Sequence, residues 1–213
     1  QFASSAASDV YKRQGDWFEL HNHGNFPLDI SLWTFKDDNF LNEFTFPPGT
    51  VIDANSHLVV CQDTALFRSL HPAVTDLTGS FHFSLRNSGD DVLLQDISGD
   101  TILLTTYSDT LPWPQGANGW GQTMELENPS SNITAPESWF DGCLAGSPGN
   151  AYSPCNPDIV FSEINYHSAD TADAGDWVEI HNLTGAAIDV SGYTFRDGND
   201  SNAYIIPPGT WLE

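Results

Sequence analysis

The sequence predicts an all-β protein, one β-sandwich followed by part of a second. Three observations carry that reading. Apolar and polar residues alternate with period two in short runs, as where Phe18 and Leu20 share one face and Trp17, Glu19 and His21 the other. Turn residues separate the runs at short spacing, Pro47-Pro48-Gly49 being the clearest case. Most of residues 15–50 is also written again at 175–210, at a constant spacing of 160 residues. A period of that length means two copies of one domain rather than a solenoid.

Taken in order, residues 1–14 lack the alternation that follows and hold two of the six basic residues. Ser4 to Gln14 resembles the translated adapter tail of assembled sequence reads, so 1–14 is set aside as a non-native leader. Gly15-Asp16-Trp17-Phe18-Glu19-Leu20-His21-Asn22 then returns as Gly175-Asp176-Trp177-Val178-Glu179-Ile180-His181-Asn182. The conservative swaps on the Phe18 face fit a core, whereas the unchanged Trp17–Glu19–His21 row needs another reason. Short strands follow at Leu28–Ser31, Trp33–Phe35 and Phe44–Phe46, then the Pro-Pro-Gly turn and a strand at His57–Cys61. Asp63 or Thr64 caps a short helix that Pro72 ends. Phe81–Phe83 and Val92–Leu94 flank Asn87-Ser88-Gly89-Asp90, which reads as a hairpin. Ser98-Gly99-Asp100 turns the chain into Thr101–Tyr107, Leu111–Pro114 reads as a rigid exposed loop, and Gln122–Leu126 as a last strand.

The expected domains are therefore 15–153, a sandwich lacking its first strand, a linker at 154–158, and the N-terminal part of a second sandwich at 159–213. The strand at Ile159 has no counterpart before Gly15, which leaves a sheet edge open in each copy. Exchange of that strand onto the first domain's edge is a minor alternative. Six Lys and Arg against 29 Asp and Glu give a net charge of −23, a field that repels nucleic acid and anionic membranes. No apolar run reaches the length of a membrane span. Of three cysteines, Cys61 lies in an apolar run and reads as a buried thiol, while Cys143 and Cys155 flank a turn-rich segment that can bring them together. Their pairing would mean an oxidising compartment.

These residues together resemble the lamin-tail domain of bacterial secreted and surface proteins. The resemblance rests on Glu163-Ile164-Asn165-Tyr166, Gly175–Asn182, Asp189–Asp197 and Pro208-Gly209-Thr210. In the first copy it adds Leu58-Val59-Val60, Leu85–Asp90, Pro112-Trp113-Pro114, Glu125-Leu126 and Gly146–Gly149. Leu32 departs from the family-like Gly192, which puts the shape of that turn in doubt. The resemblance implies an immunoglobulin-like sandwich that serves as an accessory domain of extracellular proteins, beside spore-coat-kinase-like (CotH-like), nuclease or other catalytic modules. It implies no catalytic residue in the domain itself.

Three sets of residues are candidate sites. Asp37, Asp38, Asn39 and Asn42, matched by Asp197, Asn199, Asp200 and Asn202, crowd oxygen ligands of the kind Ca²⁺ takes. The ordinary alternative is a loop of Asx turns. Glu19, His21 and His23 project from one strand face as metal ligands do, but Leu183 replaces His23 in the second copy, which favours a structural row of Trp17 and Glu19 with Trp177 and Glu179. Trp113 and Trp120, among Pro and Gly, suit stacking on sugar rings, or plugging the end of the sandwich. No nucleophile elbow, zinc-protease helix, phosphate loop or Cys-x-x-Cys pair occurs. The expectation is a non-catalytic extracellular module for adhesion, scaffolding or domain presentation at a bacterial surface, with a protein or cell-surface glycan as partner, no nucleic acid, and no cofactor unless Ca²⁺. The alternatives are an accessory region of a secreted enzyme, a CotH-like kinase, nuclease or hydrolase, and a calcium- or carbohydrate-binding module.

Overall fold

The structure, a computed structural model, describes residues 2–3, 15–155, 157–167, 175–196 and 202–213. It divides into two compact units, 1–154 and 155–213, and is almost entirely β. In the first unit the strands are β1 (Phe2–Ala3), β2 (Trp17–Asn22), β3 (Leu28–Asp29), β4 (Thr34–Lys36), β5 (Glu43–Thr45), β6 (Val51–Ile52), β7 (Ser56–Cys61), β8 (Leu77–Gly79), β9 (Gly89–Gln95), β10 (Thr101–Ser108), β11 (Gln122–Leu126) and β12 (Trp139–Leu144). The one α-helix among the described residues, α1 (Thr64–Leu70), follows β7. One sheet runs β12-β11-β1-β2-β7-β8 and the facing sheet β10-β9-β4-β5, with a short β3-β6 ladder.

Between the sheets lies the core, where Phe18, Ile30, Phe35, Phe46, Val60, Phe81, Leu94, Met124 and Trp139 are buried. The alternation along β2 sorts as expected, since Phe18 faces this core and Leu20 packs against it. Trp17 on the opposite face is just as buried, because α1 covers it and forms a second cluster with Val59, Cys61 and Phe67. Asp63 caps that helix, its carboxylate accepting the Ala65 and Leu66 amides at 3.0 and 2.9 Å. Cys61 is a buried free thiol, pushed up to about 11 by burial.

One local expectation changes. Phe81–Phe83 is not the first arm of a hairpin but an irregular segment whose rings pack on Phe35 at 5.4 and 5.2 Å. Side chains hold its backbone where a strand partner would: Gln62 donates to the Phe83 carbonyl at 2.8 Å, and Asp16 accepts the Leu85 amide at 2.8 Å. The turn expected at Ser98-Gly99-Asp100 does form, joining β9 and β10 in an antiparallel hairpin. β8, which no local pattern marks, pairs with β7 in parallel. At Gly79, φ +143°, a Cβ would stand 1.9 Å from the Cys61 carbonyl oxygen, so only glycine allows that approach.

The second unit consists of β13 (Ile159–Asn165), β14 (Trp177–Asn182), β15 (Ile188–Asp189), β16 (Thr194–Arg196), β17 (Ala203–Ile205) and β18 (Trp211–Leu212). Its registers repeat the first unit's at the same 160-residue offset. Phe35 stands opposite Phe44 as Phe195 stands opposite Tyr204, and Leu28 opposite Ile52 as Ile188 opposite Leu212. The turn chemistry repeats as well. Ser31 and Ser191 accept the Gly49 and Gly209 amides at 2.8 Å. Asn22 and Asn182 donate to Phe26 and Ala186 carbonyls at 2.9 and 2.8 Å. Leu32 keeps the left-handed turn of Gly192, with φ 62° against 78°; the turn is strained, not reshaped.

Residues 1–14 had been set aside, yet Phe2–Ala3 forms a strand between β2 and β11. Phe2 stands opposite Phe18 and Met124, and Ala3 opposite Trp17. In the second unit Ile164 and Asn165 hold the corresponding places opposite Val178 and Trp177.

Candidate functional site

A cavity in the first unit opens beside β2, past the end of its ladder with β1. On one side β2 pairs with β7 along its whole length, from Trp17–Cys61 to Asn22–Ser56. On the other side its ladder with β1 ends at Phe18. Past that point no described strand lies between β2 and β11, and a cavity of about 440 Å³ opens into the sandwich. Its floor is apolar: Phe18, Leu20, Phe35, Val92, Leu94, Ile133 and Trp139 of the core, with the exposed Leu103. Its rim is polar, with Glu19, His21, His23, His57, Glu125 and Glu127.

The rim carries less charge than its residue types suggest. Glu19 accepts the Gly149 amide, yet burial, with the nearby charge of Glu125, pushes its carboxyl up to about 7. The His21 and His57 rings stack with centroids 4.1 Å apart and 6° between planes. Burial, and then the neighbouring imidazole, lowers His57 to about 4; burial and His23 lower His21. Glu125 accepts the Thr123 hydroxyl at 2.9 Å and that of Ser147 at 3.4 Å. Chemically this is an apolar trough with a polar, hydrogen-bonding edge.

The candidate metal trio Glu19, His21 and His23, already disfavoured by Leu183, is not gathered. Among the described residues, only Asp37, Asp38 and Asp90 bring three such ligand atoms within 4.8 Å of one another. Asp37 and Asp38 were expected there; Asp90 was not, since it lies 52 residues from Asp38 and is joined to it only by folding. Asp90 accepts the Asp38, Arg86 and Asp91 amides at 3.2, 2.9 and 2.9 Å. Arg86 pairs with Asp38 and stands 3.9 Å from Asp90, which gives the group its own cation. Asp37 closes an Asx turn by accepting the Asn39 amide at 2.9 Å and also the Asn42 side-chain amide at 2.6 Å. Of the second set, Asp197, Asn199 and Asp200 lie outside the described residues, and Asn202 is exposed.

Trp113, expected on an exposed loop, is buried in the main core, so its ring is not available to a sugar. Trp120 is 72% exposed. Cys143 and Cys155 are disulfide-bonded. The repeated row divides: Trp17 is fully buried and Trp177 is exposed, while Glu19 holds the Gly149 amide and Glu179 the Ser162 hydroxyl. Sequence reasoning missed His57 and Glu125; His57 meets His21 through the β2–β7 register, for which no local pattern exists.

Among the described residues no helix is long and apolar enough to cross a membrane. The Lamin Tail Domain family model matches residues 3–110 and again 153–213. No curated protein matches the chain.

Proposed function

Because the chain belongs to the lamin tail domain family, over more than half its length and in two copies, we propose that it is a non-catalytic module for adhesion, scaffolding or domain presentation. It works outside the cell at a bacterial surface. The observation that carries this reading is what the duplication preserves. The two copies share strand registers and the residues that set their turns, Asp29 and Ser31 with Asp189 and Ser191, and Pro47–Thr50 with Pro207–Thr210. The imidazole of His23 is not part of the shared pattern, since Leu183 stands in its place. Duplication of a rigid frame multiplies spacing and valency.

The location is supported by the bonded Cys143 and Cys155 beside a buried, free Cys61, the state expected of an oxidising compartment. A net charge of −23 keeps such a frame soluble and away from nucleic acid. Its partner is a protein or a cell-surface glycan, and Trp120 is the exposed ring on which a sugar would stack. Protease treatment of intact cells that make the protein is the test. The chain should be digested without lysis; full protection until the cells are broken would refute the surface reading.

A further inference from the structure

We propose that Asn132 is an acceptor for N-linked glycosylation on the folded chain, and that Asn182, which carries the same Asn-x-Thr pattern, is not. The proposal goes beyond the presenting role and does not depend on it.

Two stretches of the sequence have the pattern that N-glycosyltransferases read, Asn132-Ile133-Thr134 and Asn182-Leu183-Thr184. Both close the same local turn. The Asn132 side-chain carbonyl accepts the Thr134 amide at 3.1 Å and the Thr134 hydroxyl at 2.9 Å. The Asn182 carbonyl accepts the Thr184 amide and hydroxyl, each at 2.8 Å. Two donors on the carbonyl oxygen draw electron density from the side-chain amide and make its N–H groups more acidic. What separates the two residues is the nitrogen, which is the atom that reacts.

Asn182 has its nitrogen engaged. The residue is 9% exposed, and Nδ2 donates to the Ala186 and Leu212 carbonyls at 2.8 and 3.1 Å. Asn22 holds the same post in the first copy, where Nδ2 donates to the Phe26 and Ile52 carbonyls, both at 2.9 Å. That engagement is a fixture of both copies.

Asn132 is placed the other way. It stands exposed in the loop between β11 and β12, and among the described residues its Nδ2 donates to no protein group. The loop is pinned at the residue between. The Ile133 carbonyl accepts the Thr105 hydroxyl at 2.5 Å and the Trp139 indole N–H at 2.9 Å, and the Ile133 side chain packs against the main core. With Ile133 held inward, Asn132 and Thr134 are both left exposed. Neither lines the cavity beside β2.

In the reaction, Nδ2 of Asn132 forms a bond to the anomeric carbon of a diphosphate-activated sugar. The bond from that carbon to the diphosphate oxygen breaks, its electron pair leaves on the diphosphate, and Nδ2 releases one proton to a base of the transferase.

The test uses the folded full-length chain, a nucleotide-diphosphate hexose and a soluble N-glycosyltransferase that modifies synthetic peptides covering both 128–136 and 178–187. The intact mass should rise by one hexose, and peptide mapping should place it on Asn132. Asn182 has to wait for local opening, so it should react slower by about tenfold or more. Asn132→Gln and Thr134→Ala should each leave the chain unmodified, and Thr134→Ser should keep the gain. No hexose on Asn132, modification of Asn182 at a similar rate, or a gain that survives Thr134→Ala would each overturn the proposal, and the presenting role would stand in every case.

Discussion

Asp16→Asn should stabilise the first unit at neutral pH and lose that advantage in acid. Asp16 is buried; one carboxylate oxygen accepts the Leu85 amide at 2.8 Å, and the other has no partner among the described residues. Burial pushes the carboxyl up from 3.8 to about 6; the Leu85 amide opposes this, and the charge of Asp90 adds to it. At about 1.36 kcal/mol per pH unit, ionising Asp16 in the folded chain costs up to about 3 kcal/mol. Between pH 3.8 and about 6 the folded chain keeps a proton that the unfolded chain has released. Stability from this group is therefore complete below that window and lost as pH rises through it. Asparagine keeps an acceptor for Leu85 but buries an unpartnered N–H, at about 1 kcal/mol. The net expectation is about 2 kcal/mol of stabilisation at pH near 7.5 and about 1 kcal/mol of destabilisation at pH near 3.5. His57 acts in the opposite sense, since its lowered value of about 4 means that stability is lost as pH falls from 6.5. Its partial exposure weakens that effect, and the difference between wild type and variant cancels it. Urea unfolding of the full chain, followed by near-ultraviolet circular dichroism at both pH values, measures the difference. A variant effect that is the same at both, or destabilisation at the higher pH, would refute the reasoning.

Three further outcomes follow from single positions. Leu32 holds a left-handed φ of 62° where the second copy has Gly192; Leu32→Gly should therefore raise stability by about 0.5 kcal/mol, the strain relieved slightly exceeding glycine's entropy cost, and a lower urea midpoint would count against this. Gly79→Ala would drive a Cβ to 1.9 Å from the Cys61 carbonyl, so it should cost more than about 3 kcal/mol and speed labelling of the buried Cys61 thiol, which unchanged labelling would contradict. Reducing the disulfide formed by Cys143 and Cys155 should lower stability by about 2–3 kcal/mol through the loop it closes; an unchanged Tm in reductant would show that the loop is held by other contacts.

What the sequence made legible was set by neighbours along the chain. Period-two alternation marked β2 and β14, and Pro-Pro-Gly-Thr with Asp29 and Ser31 marked the turns; both depend on a few consecutive residues and so survive in the string of letters. The parallel pairing of β8 with β7, the irregular course of Phe81–Phe83 and the joining of Asp90 to Asp37 and Asp38 do not. Each is decided by a group far away in sequence: Cys61 for Gly79, Asp16 and Gln62 for the segment at Phe83 and Leu85, the Asp38 amide for Asp90. A Pro-Trp-Pro stretch reads as surface, and Trp113 is buried nonetheless because the loop folds its ring into the core.

The repeated Trp-x-Glu row makes the same point about function. Identical letters at Trp17 and Trp177 invited one explanation, yet the two rings have different surroundings. Trp17 is enclosed by Val59, Cys61 and Phe67 and meets the Phe67 ring edge-on at 5.6 Å, whereas Trp177 is exposed. Glu19 and Glu179 likewise keep the same strand position and bond different partners. Both strands keep an antiparallel neighbour on the same side, β1 beside β2 and β13 beside β14, so the repeated letters fix a strand position and the surroundings of each copy fix what its side chains touch.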